Sequence, residues 1–283
     1  MSELNDLHHN HQPKLTLLME QHKKSFTKSE KKVYEYALNH FESIIYQSLT
    51  EISMACNIGE STVLRFCRKL GFKGYQDFKF AVAQEIAAPQ HQDKNETFSD
   101  KIKSNMIQAL ENTSSIIDFN ELEATIDKIL EARDIVIFGM ASSGIAGLDM
   151  NNRLLRIGVN SNAITDSHMQ MIRAVSTRSD TLIIAISLTG STKDTVDAVK
   201  RAKANGATVV AITNYSNSPL TKFSDHVLLT SAKENPLDSG SLVSKVSQLY
   251  VVDLICTGLT MKMYEAAEEN KKKVAEAISE KLY

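Results

Sequence analysis

Apolar positions keep a helical spacing through the first part of the chain and change after Asp134 to short continuous runs that alternate with helical segments. Residues 27–30 have the form of a capping box, in which a hydroxyl and a carboxylate three residues apart each satisfy a free backbone N–H, and they predict a helix start. Val33, Ala37, Leu38, Phe41, Ile44 and Ile45 then form one stripe expected to be buried. Across residues 49–68, Ile52, Cys56, Ile58, Val63 and Phe66 fit two short helices closing on each other, with small Ser53 at their approach. Asn57 falls in the tight turn, and Asn is among the few residues other than Gly that enter left-handed backbone at low cost. In the second of these helices Val63, Phe66, Cys67 and Leu70 share one face, which leaves Ser61, Thr62, Arg65, Arg68 and Lys69 on the other.

Residues 87–100 hold Pro89, several amides and mixed charge without a periodic apolar pattern, so they read as a connection. Helical segments follow at about 101–112 and 120–132. The apolar run 135–138 ends in the small-residue loop 139–144 and leads into a helix through Arg156. Strands at 159–164, 181–186, 208–213 and 226–230 complete a set of five, interleaved with helices at 167–175 and 191–204 and a long helix from about Ser241. Alternation of this kind predicts a doubly wound α/β fold with a parallel sheet and ligands at the C-terminal strand ends. A last helix spans 264–282.

Composition admits two ordinary folded domains: 283 residues, 42% hydrophobic and 23% charged. No apolar run is expected to reach the roughly 20 residues of a membrane helix, and the polar, His-rich start is unlike a signal peptide, so a cytoplasmic protein is expected. Cys56, Cys67 and Cys256 lack paired ligand spacing and read as reduced core residues; His8, His9 and His11 have no cysteine or carboxylate to complete a site. No metal and no cofactor is expected. The net charge of −2 argues against a general nucleic-acid coat, but residues 12–80 carry eleven Lys and Arg against seven Asp and Glu, the local excess a phosphate-backbone reader needs.

Ser61, Thr62, Arg65, Arg68, Lys69 and Lys73 form a hydrogen-bonding, cationic set suited to a major groove. A plain solvated helical hairpin would show three basic residues too; the turn, the apolar register and the following segment 70–75 favour DNA. In the α/β half, Ser187, Thr189, Gly190, Ser191 and Thr192 end a strand and start a helix, where free N–H groups, the positive helix end and hydroxyls converge on one place for a phosphate. Ser142 and Ser143 hold the equivalent place after the first strand. Either loop alone could be simple helix capping. The loop 139–144 lacks the Lys-Ser/Thr of a P-loop and the G-x-G-x-x-G order, and Asn160 and Asn162 stand where a ribose-holding acid would be, so nucleoside triphosphate and NAD are excluded.

The run Ser61 to Tyr75, with the match extending from Thr27 to Phe80, resembles the signature of the RpiR family of bacterial transcriptional regulators, although Asn57 stands where the family has Gly and Gly59 where a Ser often caps. Residues 127–266 resemble its sugar isomerase (SIS) domain, with Ser187, Thr189, Gly190 and Thr192 on the Ser-x-Ser-Gly-x-Thr phosphate loop, Ala141 in place of a common Gly, and Ser244-Lys245 where relatives carry Ser-Arg. The resemblance implies a helix-turn-helix domain at 13–89, connecting helices at 90–126, a SIS domain with a five-stranded parallel sheet at 127–266, and a C-terminal helix at 267–283. It implies a non-enzymatic regulator, most simply a repressor of sugar or amino-sugar catabolic genes. The expected partners are double-stranded operator DNA and a phosphorylated sugar held with help from Lys245, and the expected state is a homodimer or homotetramer. An active aldose–ketose isomerase using Glu234, His168 or His226 as base is the alternative. A third reading is an interaction module that uses SIS only to dimerise.

Overall fold

The computed structural model describes residues 15–87, 97–232 and 242–279, which fall into two compact units, residues up to 87 in the first and residues from 97 in the second. The histidine-rich start, Lys14, Pro89, Glu234 and Ser241 lie outside the described residues.

The first unit is helical: α1 (Leu15–His22), α2 (Lys28–Asn39), α3 (Leu49–Ala55), α4 (Glu60–Lys69) and α5 (Tyr75–Ala87). Thr27 and Glu30 form the expected reciprocal capping box, and Ser48 with Glu51 forms another at the start of α3. Phe66 anchors the core, with its ring centroid 5.0 Å from that of Phe26 and 5.8 Å from that of Phe78. The stripe expected after Val33 is altered in two places. Leu38 is exposed and Tyr34 is buried, because α2 ends at Asn39 and a single turn, Ile44–Tyr46, brings Ile44 and Ile45 in to close the core.

Lys79 is only 4% exposed. Its ammonium donates to the Gln47 carbonyl at 3.2 Å and lies 5.3 Å from the centre of the Tyr75 ring. Burial pushes its pKa down to about 8, against a weaker upward pull from Glu51. The three cysteines are free and buried, and burial pushes the Cys67 and Cys256 thiols up to about 12, which keeps them protonated.

The second unit holds α6 (Phe98–Ile116), α7 (Phe119–Glu131), β1 (Asp134–Gly139), α8 (Ala141–Arg156), β2 (Asn162–Ile164), α9 (Ser167–Val175), β3 (Thr181–Ile186), α10 (Lys193–Ala204), β4 (Thr208–Thr213), β5 (His226–Leu229), α11 (Leu242–Lys262) and α12 (Tyr264–Ser279). All strand pairs are parallel, in the order β2-β1-β3-β4-β5. Successive strand residues point to opposite faces. Ile135, Ile137, Leu182 and Ile184 therefore join one core with Met150 and Leu154 of α8 and Val251 and Ile255 of α11, while Val136, Phe138, Ile183 and Ala185 join another with Ala174 of α9 and Ala198 and Ala202 of α10. Both faces are covered, as an all-parallel sheet requires.

Two boundaries differ from expectation for local reasons. β2 is short because Gly158, at φ +87°, turns the Val159 N–H back onto Leu154 O at 2.9 Å and ends α8 in place of extending the strand. α6 starts at Phe98 because Thr97 caps it, and α6 and α7 pack on α11 as part of the second unit. The expectation that no segment is long and apolar enough to cross a membrane is corrected by α11, which is so by length and composition. Its buried side, from Ser244 and Gln248 through Leu259, lies in the core of the unit.

The backbone turns left-handed at Asn57 (φ +51°) and Ala141 (φ +48°), and at Gly190 (φ +57°) in the loop after β3. A Cβ on Gly190 would stand 2.2 Å from the Ser218 hydroxyl oxygen and 2.6 Å from Ser218 Cβ, so both conformation and space demand glycine there.

Two outcomes are expected. Because the unfolded chain binds the Lys79 proton more readily, stability of the helical unit should rise with pH between about 8 and 10.5. Lys79→Met should flatten that rise and raise stability near pH 7 by ~1 kcal/mol, since the Gln47 carbonyl keeps its bond from the Tyr75 hydroxyl. Thermal melts across pH check this, and a wild-type profile flat over that interval contradicts it. Gly190→Ala should cost ~2 kcal/mol or more, whereas Ala141→Gly should stabilise by ~0.5 kcal/mol through release of a left-handed alanine. Chemical denaturation of the two variants, read against the wild type, gives both signs.

Candidate functional site

In the first unit α3 and α4 are joined by the turn that Asn57 makes possible. The Ile58 N–H bonds Ser53 O at 2.9 Å across it, and Ser53 is buried at the crossing with its hydroxyl folded onto Thr50 O. Gly59 caps α4 without a side-chain bond. Ser61, Arg65 and Arg68 are exposed and spaced i, i+4, i+7, so they form one stripe along α4.

Thr62 does not lie open on that face as expected, and Lys69, though exposed, is paired. Thr62 is buried beside Val63, and its hydroxyl accepts from the Arg65 guanidinium at 2.9 Å, so it orients Arg65. The Lys69 ammonium is 2.6 Å from Glu30 Oε2 and donates to Ser25 O at 3.0 Å. The same Glu30 oxygen accepts the Thr27 N–H of the capping box at 2.8 Å. Burial alone would raise the Glu30 carboxyl, but Lys69 and Thr27 outweigh it and hold it below the ordinary value. Lys69 thus ties the C-terminal end of α4 to the start of α2. Lys73 is exposed, and its N–H donates to Asp77 at 2.9 Å before α5.

In the second unit the chain leaves β1 for β2 on one side and returns to β3 on the other, so strand order reverses between β1 and β3. Gly139 and Ile186 are register partners, and the loops beginning at residues 140 and 187 therefore leave adjacent strands at the same edge. Crevices at such a reversal are where open α/β sheets bind ligands. Ser187 is buried, with its hydroxyl oxygen 3.4 Å from that of Thr192. The Thr189 hydroxyl accepts the Ser191 N–H at 3.2 Å, and Ser191 donates back to Thr189 O at 3.1 Å. Gly190 bonds Ser187 O through its N–H and Leu220 N–H through its carbonyl, which pins the loop.

Thr192 occupies the cap position of α10 and makes no capping bond, and Met140 caps α8 without one. Ser142 and Ser143 lie in the first turn of α8; Ser143 is buried and its hydroxyl accepts from the Gln248 amide at 3.0 Å. Lys245 is half-buried on α11, three residues before Gln248. Gln248 and Gln170, which donates to Gly139 O and Ile164 O, carried no sequence motif, since each is a single amide in an apolar helical pattern.

Of the bases considered for isomerisation, His226 and His168 are among the described residues and do not lie together. His226 opens β5, at the opposite edge of a parallel sheet, and faces Glu121 at 3.1 Å. His168 is exposed at the start of α9, beyond the outer strand β2. Among the described residues no group of His, Cys, Asp and Glu is suited to a metal ion.

Residues 14–89 match the model of the helix-turn-helix domain of the rpiR family, and residues 128–258 match that of the SIS domain. An uncharacterized HTH-type transcriptional regulator of Clostridium perfringens is 37% identical over 262 residues, covering 89% of this chain and 94% of its own. The HTH-type transcriptional regulator HexR of Escherichia coli is 28% identical over 265 residues, 91% of each chain. The structure of the Vibrio vulnificus NanR protein complexed with ManNAc-6P is 28% identical and superimposes with a TM-score of 0.88, covering 95% of this chain and 100% of that one. With both domain types present in order and a relative more than 30% identical along nearly its whole length, the chain belongs to the RpiR family of HTH-type transcriptional regulators.

Proposed function

We propose that the chain is a repressor of sugar or amino-sugar catabolic genes, that α4 reads operator DNA, and that a phosphorylated sugar bound at the β1–β3 edge alters that reading. The observation that carries this is the distribution of helix caps. Among the described residues, Thr27, Ser48, Thr97, Asp118 and Asp166 cap their helices with side-chain oxygens, whereas α4, α8 and α10 begin without a side-chain cap. Uncapped N–H groups and the positive helix end attract a phosphate; of the helices that begin in this way, α4 carries the exposed Arg stripe and α8 and α10 start at the sheet reversal. The ManNAc-6P held by the Vibrio vulnificus relative supports an N-acetylated amino-sugar phosphate as the effector class.

Helix-turn-helix proteins bind paired half-sites as symmetric dimers. Ile145 and Leu148 of α8 and Ile172 and Val175 of α9 are exposed, apolar surface that suits cover by a second copy in a homodimer or homotetramer. The sugar acts by binding one arrangement of the paired DNA readers more tightly than the other.

Band-shift titrations of the upstream DNA with a panel of sugar phosphates, with sugar conversion followed in the same samples, test the reading as a whole. Binding altered by one compound without turnover supports it; turnover without any effect on DNA overturns it. Arg65→Ala should weaken operator binding by ~1–3 kcal/mol, and an unchanged affinity removes Arg65 from the readout. Thr192→Ala should raise the sugar-phosphate concentration needed to shift DNA binding by about tenfold, the loss of one hydrogen bond to a charged group. A normal response places the phosphate elsewhere.

A further inference from the structure

At the ligand edge α11 meets α8 through a bond from Gln248 Nε2 to Ser143 Oγ, 3.0 Å, both residues buried and 105 positions apart; farther along, Arg153 of α8 pairs with Asp253 of α11. Among the described residues the Gln248 oxygen has no partner, and it is shut off from solvent. A buried amide satisfied on one side only is costly and calls for a reason other than packing, since Leu or Met would fill the same space without that cost.

The chemistry of a hydroxyl supplies the reason. Serine has one hydrogen to donate and lone pairs that accept. In the first turn of a helix a free serine hydroxyl rotates and gives its hydrogen to a nearby backbone carbonyl. When its oxygen is engaged by a donating amide, its hydrogen is left for a third group. At the start of α8, where backbone N–H groups are uncapped, that group is an acceptor oxygen.

We propose that Gln248 is a positioning residue of the sugar-phosphate site: it acts through Ser143, committing the Ser143 hydroxyl to donate to an oxygen of the bound phosphorylated sugar. The inference rests on the phosphosugar reading and adds to it a residue on α11. It also links ligand contact at α8 to the helix whose buried side packs against α6, α7 and α8.

A double-mutant cycle on the full chain tests it, with affinities from calorimetry for the tightest-binding member of a panel comprising N-acetylmannosamine 6-phosphate, N-acetylmuramic acid 6-phosphate, glucose 6-phosphate and ribose 5-phosphate. Ser143→Ala should weaken binding about tenfold and Gln248→Met about fivefold, while the double variant should bind no worse than Ser143→Ala, because the amide has nothing left to orient. Gln248→Glu should weaken binding at least as much as Ser143→Ala, since a carboxylate takes the Ser143 hydrogen and sets a negative charge near a phosphate. Thermal melts identify any variant that fails to fold, and the near-isosteric Gln248→Met keeps the cycle readable if Gln248→Glu does. Losses that add in the double variant, as a merely structural role would give, overturn the proposal, as does wild-type affinity in Gln248→Glu. If the wild type binds no member of the panel, the phosphosugar reading itself falls; if it binds and the losses add, only the role of Gln248 falls.

Discussion

The first turn of every helix exposes backbone N–H groups that need an acceptor, and the two units of this chain meet that need in two ways. Five helices carry their acceptor with them, at Thr27, Ser48, Thr97, Asp118 and Asp166. The helix of the Arg stripe and the two helices at the sheet reversal begin at Gly59, Met140 and Thr192 without one. An anion is the natural complement of such a start, whether a phosphate of the DNA backbone or of a small ligand.

The sheet places two of those starts together. β1 and β3 pair in register, and each sends alternate side chains into cores on both faces, so neither can slip without moving its apolar set. The loops that follow are held to fine tolerance. Gly190 has no room for a Cβ, and Ala141 keeps a left-handed backbone that glycine would adopt more easily. Ala141 is the residue at which the first loop departs from the SIS pattern, and it holds left-handed backbone with its methyl group in place.

In the first unit the division between scaffold and reading surface runs through a single helix. Glu30 closes the cap of α2 and holds Lys69 of α4 with one oxygen, so a charge that counts as basic surface in the sequence is spent on joining two helices. Thr62 turns inward and gives Arg65 a fixed hydroxyl to lean on. The exposed polar side chains of α4 whose charge or hydroxyl is not committed to Glu30 are Ser61, Arg65 and Arg68, on the side opposite the one that packs on Phe26, Val33 and Phe78.

By itself the sequence determined the class and order of the two units, the turn at Asn57, the capping box at Thr27, the strand and helix alternation and the hydroxyl loop at 187–192. Each is local: periodicity, a three-residue motif or a residue with special backbone freedom is visible within a few positions. Tertiary structure alone decided that His226 lies at the far edge of the sheet, that Lys69 is paired and Thr62 buried, and that Gln248 reaches Ser143. Those facts join residues 39 to 105 positions apart, or depend on which side of a strand or helix the rest of the chain covers. No window along the sequence contains both partners, and only packing selects them.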